Sequence, residues 1–290
     1  MNSVEATVRA PARQTGIVSW PARLIRYFRA SPSVALSWLV LVVIVSWALV
    51  PWLYTGYSAV QGVPSEKMQP PSAAHWFGTD MLGRDLYARV VYGAINSLTG
   101  AALAVGIGLV LGTFLGVVAG SSRRIVDDII MRFVDVLLAI PSLLLSLSII
   151  ILLGFGNLSV AVAAGFGAIA GFARLTRSEV VRVRRSDYVE AAFGSGGTFW
   201  AVLWRHVLPN SLTSVIAMSA LQFGNAILAI SAMGFLGYGA PAPTPEWGLL
   251  IAEGRNFLAF AWWMSTFPGL IVVALVLAAN RISQSIKGDR

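Results

Sequence analysis

The two lysines of this chain, Lys67 and Lys287, both lie outside any G-x-x-x-x-G-K-[ST] loop, so no phosphate cradle of the usual ATP-hydrolysing kind is present. The two histidines, His75 and His206, are too isolated in sequence to build a metal site. Cysteine is absent, which removes thiol nucleophiles, disulfides and cysteine–zinc sites. No Ser–His–Asp set, metal-ligand cluster or dinucleotide fingerprint appears. The sequence therefore predicts no catalytic residue, no metal site and no cofactor bound by this chain. Three other groups of residues remain to be explained.

The first is a charged segment, about 174–210. Although too polar for lipid, it keeps helical apolar spacing at Val180, Val183, Val189 and Ala192. It then reads Glu190-Ala191-Ala192-Phe193-Gly194-Ser195-Gly196, followed by 198–207 and Leu208-Pro209-Asn210. The pattern predicts a short helix, a glycine turn, and a second helix that Pro209 closes. Small alanines at the tip would let the groove of another protein approach closely. Glu190 is expected to pair with a basic partner or to cap the second helix, and His206 to cap or contact within the loop.

The second group is Asp80, Arg84 and Asp85, candidates for a gate or path and equally suited to capping and ion-pairing a short surface helix. The third is Asp128, Arg132 and Asp135, at i, i+4 and i+7, where mutual pairing is expected. Asp135 also counts as a candidate path residue, because an ionisable group inside a membrane is a functional candidate. Pro141 joins it as the expected site of a helix kink.

These residues must be held by membrane-spanning helices. Hydrophobic residues make up 57% of the 290 and charged residues 12%, about half the charged share of a soluble domain. Mean hydropathy is +0.74. A bilayer core needs roughly 20 apolar residues in a helix, and six runs qualify, at about 33–53, 97–120, 133–155, 158–173, 212–236 and 263–279. Gly154–Asn157 alone separates the third from the fourth.

Charge orients the spans. With both termini in the cytoplasm, 17 of the 21 basic residues lie inside and only Lys67, Arg84, Arg89 and Arg255 outside. Topology thus accounts for the net charge of +8 without nucleic acid. The expected layout is a cytoplasmic arm at 1–32 and a first span at 33–53. An external loop at 54–96 precedes a five-helix core at 97–283 with the loop 174–210, and a tail at 284–290. The arm holds five arginines (Arg9, Arg13, Arg23, Arg26, Arg29) and no cleavable signal pattern. In the second span Gly108, Gly112, Gly116 and Gly120 recur every four residues behind Ala104. That row predicts close helix packing within the subunit, with a subunit contact as the alternative.

Glu190, Ala191 and Ala192, then Gly196, then His206, Leu208 and Pro209 resemble the signature loop of permease subunits in bacterial ABC importers. The resemblance implies an all-α, type I importer permease fold whose loop forms a cytoplasmic coupling helix docking on an ATPase subunit. Phe193–Gly197 is richer in glycine than the family pattern, which suggests a looser turn or a shifted contact. Phe77-Gly78-Thr79-Asp80-Met81-Leu82-Gly83-Arg84-Asp85 is similar to the peptide- and nickel-type permeases. So are Asp128, Met131, Arg132, Asp135 and Pro141, and Gly234–Gly239 running into Pro243–Gly248. The similarity runs from about residue 75 to the C-terminus, and the chain looks most like the C-type partner of the dipeptide/oligopeptide pair.

That resemblance implies a homologous permease partner, two ABC ATPase subunits or one fused ATPase carrying ATP and Mg2+, and an extracytoplasmic substrate-binding protein. It implies passage of di- or oligopeptides across the cytoplasmic membrane, with nickel, glutathione or haem as alternative cargoes. An ion-coupled secondary transporter is the alternative class, which commonly shows internal repeats and midplane charges. Neither is found here, apart from Asp135 near the start of the third run. A membrane-bound enzyme lacks any catalytic set.

Overall fold

The computed structural model describes residues 32–288, so nearly all of the arm, with its five arginines, and the last two residues lie outside it. Helix α1, Pro32–Leu49, begins on a proline, whose fixed φ suits a first helical position. It ends where Val50, restricted by the following Pro51, turns away from helical angles at φ −137°, ψ 56°. Helix α2, Leu86–Ser121, is capped by Asp85, which accepts from the Ala88 N–H at 2.7 Å. It starts earlier than the 97 read from hydropathy. At 36 residues it is about 54 Å long, more than the roughly 30 Å of a hydrocarbon core, so its first turns stand outside the apolar slab.

The glycine row sets the central contact. α2 lies against α5, Asn157–Arg184. A Cβ at Gly112 would sit 2.6 Å from the Ile169 carbonyl oxygen, one at Gly116 2.6 Å from that of Ala173, and one at Gly120 2.9 Å from Val180. The row is thus spent within the subunit. Gly112→Leu is expected to cost about 3 kcal/mol, the upper end for overpacking, because the obstacle is backbone. Gly106→Leu, with nothing within 4 Å of its would-be Cβ, should be silent. Thermal unfolding of the two detergent-purified variants checks this.

Contacts climb both helices in the same direction, Gly108 with Ala168 and Gly120 with Val180. α2 and α5 are therefore parallel, and the chain between them must travel back. It does so as α3, Arg124–Ala139, and α4, Ser142–Leu153, bent by 94° at their junction. The kink expected at Pro141 is a full break. Ile140 before the proline is extended at ψ 127°, as is Pro141 at ψ 128°, and Pro141 has no N–H for the helical ladder. Gly154 and Gly156, both at positive φ, then turn the chain into α5. The fourth run, read as ending near 173, continues as helix to Arg184, so Arg174, Arg177, Arg182 and Arg184 ride α5.

Beyond α5 come α6, Asp187–Gly194, the single turn α7, Phe199–Val202, a π turn at Leu203–Val207, and α8, Leu208–Phe235. Pro209 does not close a helix, as the sequence suggested; it lies in the first turn of α8. The π turn, with Leu208 N–H bonding the Leu203 carbonyl, shifts the ladder so that the missing proline N–H falls where a bond is dispensable. A short helix α9, Trp247–Gly254, precedes α10, Trp263–Gly288.

Ser283 Oγ on α10 donates to Ala217 O on α8 at 3.1 Å, and Arg281 Nε to Ser33 Oγ on α1 at 3.0 Å. Both described chain ends therefore sit at the end of the bundle where α2 and α5 terminate. Among the described residues five helical stretches are long and apolar enough to cross a bilayer, Phe199–Phe235 counting as one, and the bent pair α3–α4 makes six. A core of Val91, Ala94, Phe172, Val215, Ile227 and Leu275 fills the bundle. Leu36, Leu39, Val110, Phe114 and Leu277 face outward, as lipid contact allows.

Candidate functional site

The 187–207 segment stands on its own small core. Val180 and Val183 of α5, Val189 of α6, and Val202, Leu203 and Val207 after the turn bury one another. That packing fixes how α6 is rotated. Val189 points in and Ala192 packs partly against the cluster, while Asp187, Glu190, Ala191 and Gly194 form an exposed face at i, i+3, i+4 and i+7. The two signature alanines therefore have different environments. Glu190 makes no side-chain hydrogen bond or ion pair among the described residues, and Thr198, not Glu190, stands at the cap position of α7.

The glycine-rich stretch closes α6 tightly. Gly196 adopts φ +88°, its N–H bonds the Phe193 carbonyl at 2.9 Å, and the Gly197 N–H bonds that of Ala192 at 3.0 Å. This pair of bonds around a left-handed glycine is the Schellman helix ending, so the looser turn suggested by composition is not present. Gly197, the last of the glycine-rich stretch, is also sterically required, since a Cβ there would lie 2.6 Å from the Ala192 oxygen. Of the other signature positions, Leu208 packs into the same core, and the His206 carbonyl accepts from Asn210 Nδ2 at 2.7 Å.

Asp80, Arg84 and Asp85 come together at the opposite end of the bundle, all nearly buried. Asp80 Oδ1 accepts from the Leu82 and Arg84 N–H groups and Oδ2 from Arg84 Nε at 2.6 Å and Arg89 Nη1 at 2.8 Å. Arg89, fully buried on α2, reaches Glu253 of α9, as does Arg84 at 3.4 Å. His75 Nδ1 lies 2.8 Å from Asp85 Oδ2 and its Nε2 3.5 Å from Glu66. The segment before α2 is thereby clamped onto α2 and α9 by capping and ion pairing.

Glu246 completes the clamp as the cap of α9. Its carboxylate accepts from the Gly248 and Leu249 N–H groups at 2.9 Å each and from the Ser97 hydroxyl at 3.3 Å. Burial pushes its carboxyl up, against the pull of those three donors. A carboxyl whose pKa is raised by folding makes the native state bind protons more tightly than the unfolded chain, so its contribution falls as pH rises past the ordinary carboxylate range.

Asp135 and Pro141 are not part of that cluster. Asp135 pairs with Arg174 of α5 at 2.8 Å, Asp128 with Arg124 at 3.8 Å, and Arg177 with Asp127 at 2.6 Å. The mutual pairing expected of Asp128, Arg132 and Asp135 is not found among the described residues: Asp128 pairs within α3, while Asp135 and its neighbour Asp127 bond to α5, whose extension brings its arginines alongside. Beside the Pro141 break lies a pocket of about 300 Å3 between α4, α5 and α8, largely apolar but with Ser142, Ser146, Gln222 and Asn225 in its lining. Asn225 Nδ2 donates to Gln222 Oε1 at 2.8 Å. Two amides at i and i+3 in an apolar run were the available signal.

Residues 112–287 match the model of the family described as binding-protein-dependent transport system inner membrane component. The chain is similar to the dipeptide transport system permease protein DppC of Alkalihalophilus pseudofirmus, 41% identical over 81% of this chain and 77% of that protein. It is also 34% identical, over 99% of its length and 96% of the relative's, to the probable D,D-dipeptide transport system permease protein DdpC of Escherichia coli. Among solved structures, an inward-facing MetNI methionine ABC transporter chain superposes with a TM-score of 0.55 at 16% identity, over 68% of this chain and 96% of that one. At that identity the likeness establishes the fold.

Proposed function

The chain belongs to the binding-protein-dependent transport system inner membrane components, and from that premise we propose that it is the permease subunit of an ABC importer passing di- or oligopeptides. The observation that carries the coupling part of this reading is the outlying helix α6. It is braced from behind by an apolar core and presents a face of small residues, Ala191 and Gly194, that none of the described residues covers. Such a helix transmits force as a rigid lever when a partner's cleft grips it.

In this reading the loop end and both termini face the cytoplasm, and the clamped cap faces outward. A homologous permease supplies the other wall of the path. ATP and Mg2+ are held by two ATPase subunits, whose closure draws on α6 and opens the path to a loaded binding protein. Asp80, Arg84 and Asp85 hold the outer rim of that path in register, and Asp135 with the Pro141 break holds α3 beside α5. The pocket of Ser142, Ser146, Gln222 and Asn225 is this subunit's polar wall, since exposed amides inside a membrane are tolerated where water or cargo meets them.

Because the chain has no cysteine, single replacements label uniquely. Ser195→Cys should react with an impermeant maleimide only from the cytoplasmic side, and Val60→Cys in the outer loop only from outside. The purified chain alone should hydrolyse no ATP. Proteoliposomes that also hold the ATPases and sister permease should hydrolyse it and take up labelled dipeptide when binding protein is added. Labelling of both cysteines from one side, or hydrolysis by the isolated chain, would refute the arrangement.

A further inference from the structure

Between the last turns of α2 and the segment that follows α6 runs a long apolar groove of about 940 Å3. Val110 and Phe114 line one side and Trp200 and Trp204 the other, each about two-thirds exposed. At its mouth the groove adjoins a second cavity of about 340 Å3, the two sharing Ser122 and Arg184. This second basin is basic. Arg177 there is matched by Asp127 at 2.6 Å, whereas Arg184 uses one N–H on the Gly120 carbonyl and has its others to spare. Arg185 in the basin and Arg123 at the groove's rim have no ion pair among the described residues.

We infer that this paired cavity is a binding site for one anionic phospholipid, its acyl chains in the groove and its phosphate on Arg123, Arg184 and Arg185. Three observations select that occupant. From Leu109 to Ser122 the α2 wall is about 20 Å long, enough to hold a chain through one leaflet of about 15 Å. Trp200 and Trp204 line the same groove as Arg123 and Arg184, the mix of aromatic and basic side chains that suits a membrane interface. An apolar helix from another subunit would fill the groove but leave three cationic groups unanswered, whereas basic pockets beside spanning helices suit anionic headgroups.

The bound lipid joins the end of α2 to α7 and the π turn, which carry α6. Resting on the coupling role proposed above, this makes ATPase coupling in this subunit depend on anionic lipid. The test uses the assembled complex in nanodiscs, with phosphatidylglycerol or phosphatidylcholine brominated on the acyl chains, and reads tryptophan quenching. Brominated phosphatidylglycerol should quench a saturable fraction that phosphatidylcholine does not, and Trp200→Phe with Trp204→Phe should remove that fraction. Arg123→Gln with Arg185→Gln should weaken the preference by roughly fivefold per arginine. Val110→Trp should abolish it with the charges intact.

Equal quenching by the two lipids, indicating ordinary boundary lipid, would overturn the proposal. So would an unchanged preference in the arginine variant, or loss of subunit assembly in Val110→Trp, since then another protein occupies the groove. A preserved lipid preference in a complex that takes up no peptide would count against the transport reading alone.

Discussion

Ala191→Trp is expected to abolish peptide uptake and ATPase co-purification, while Ala192→Trp lowers the yield of folded protein instead. The two positions differ by one helical step, about 100°, and that step separates solvent from core. Ala191 is exposed on the face it shares with Asp187, Glu190 and Gly194; Ala192 packs against the cluster of Val180, Val189 and Val202. An indole at 191 points away from the described residues and into any cleft that grips α6. The same ring at 192 must push into a filled core, with an overpacking cost of about 1–3 kcal/mol.

Two milder variants calibrate the result. Glu190→Ala, losing an exposed charge, should cost about 0–1 kcal/mol of docking. Gly196→Leu has open space for a side chain but φ +88°, so it should carry only the left-handed backbone penalty of about 1–2 kcal/mol. Uptake and co-purification on the same membranes decide the matter. If Ala191→Trp keeps both at normal levels, α6 is not the coupling element.

Arg89→Met is expected to cost about 3–5 kcal/mol of stability and to lower the unfolding temperature by roughly ten degrees. Arg84 and Arg89 balance Asp80 and Glu253, and three of these four are nearly or fully buried. Removing the Arg89 guanidinium strands a negative charge where water cannot reach it, which is far more costly than losing an ion pair at the surface. Arg124→Met is the control. Its pair with Asp128 at 3.8 Å is exposed on both sides, so the change should stay within about 0.5 kcal/mol. Equal shifts in the two purified variants would show that the buried cluster does not hold the cap.

Six apolar runs, the skew of basic residues and the signature loop were legible in the sequence because each depends on properties summed along a short stretch. Transfer of some twenty apolar residues into lipid is additive over neighbours. The glycine row likewise announced a close helix contact, and Gly154–Asn157 a break, since both rest on what a missing Cβ allows locally.

Tertiary structure decided the rest. The bend of 94° at Pro141 exceeds the kink that a proline by itself announces, and its size is seen only in the folded chain. Asp80, Arg89 and Glu253 find one another across 164 residues between the last two, a pairing on which spacing along the chain is silent. Arg174 and Arg177 met Asp135 and Asp127 only because α5 outran its apolar run by eleven residues. The outward face of α6 was set by Val180, Val183 and Val202, which lie on other segments and claim Val189 and Ala192 for a shared core. Periodicity shows that a helix has an apolar side; which neighbour takes that side is a property of contacts between distant segments, and that choice fixed Ala191 as the residue a partner can touch.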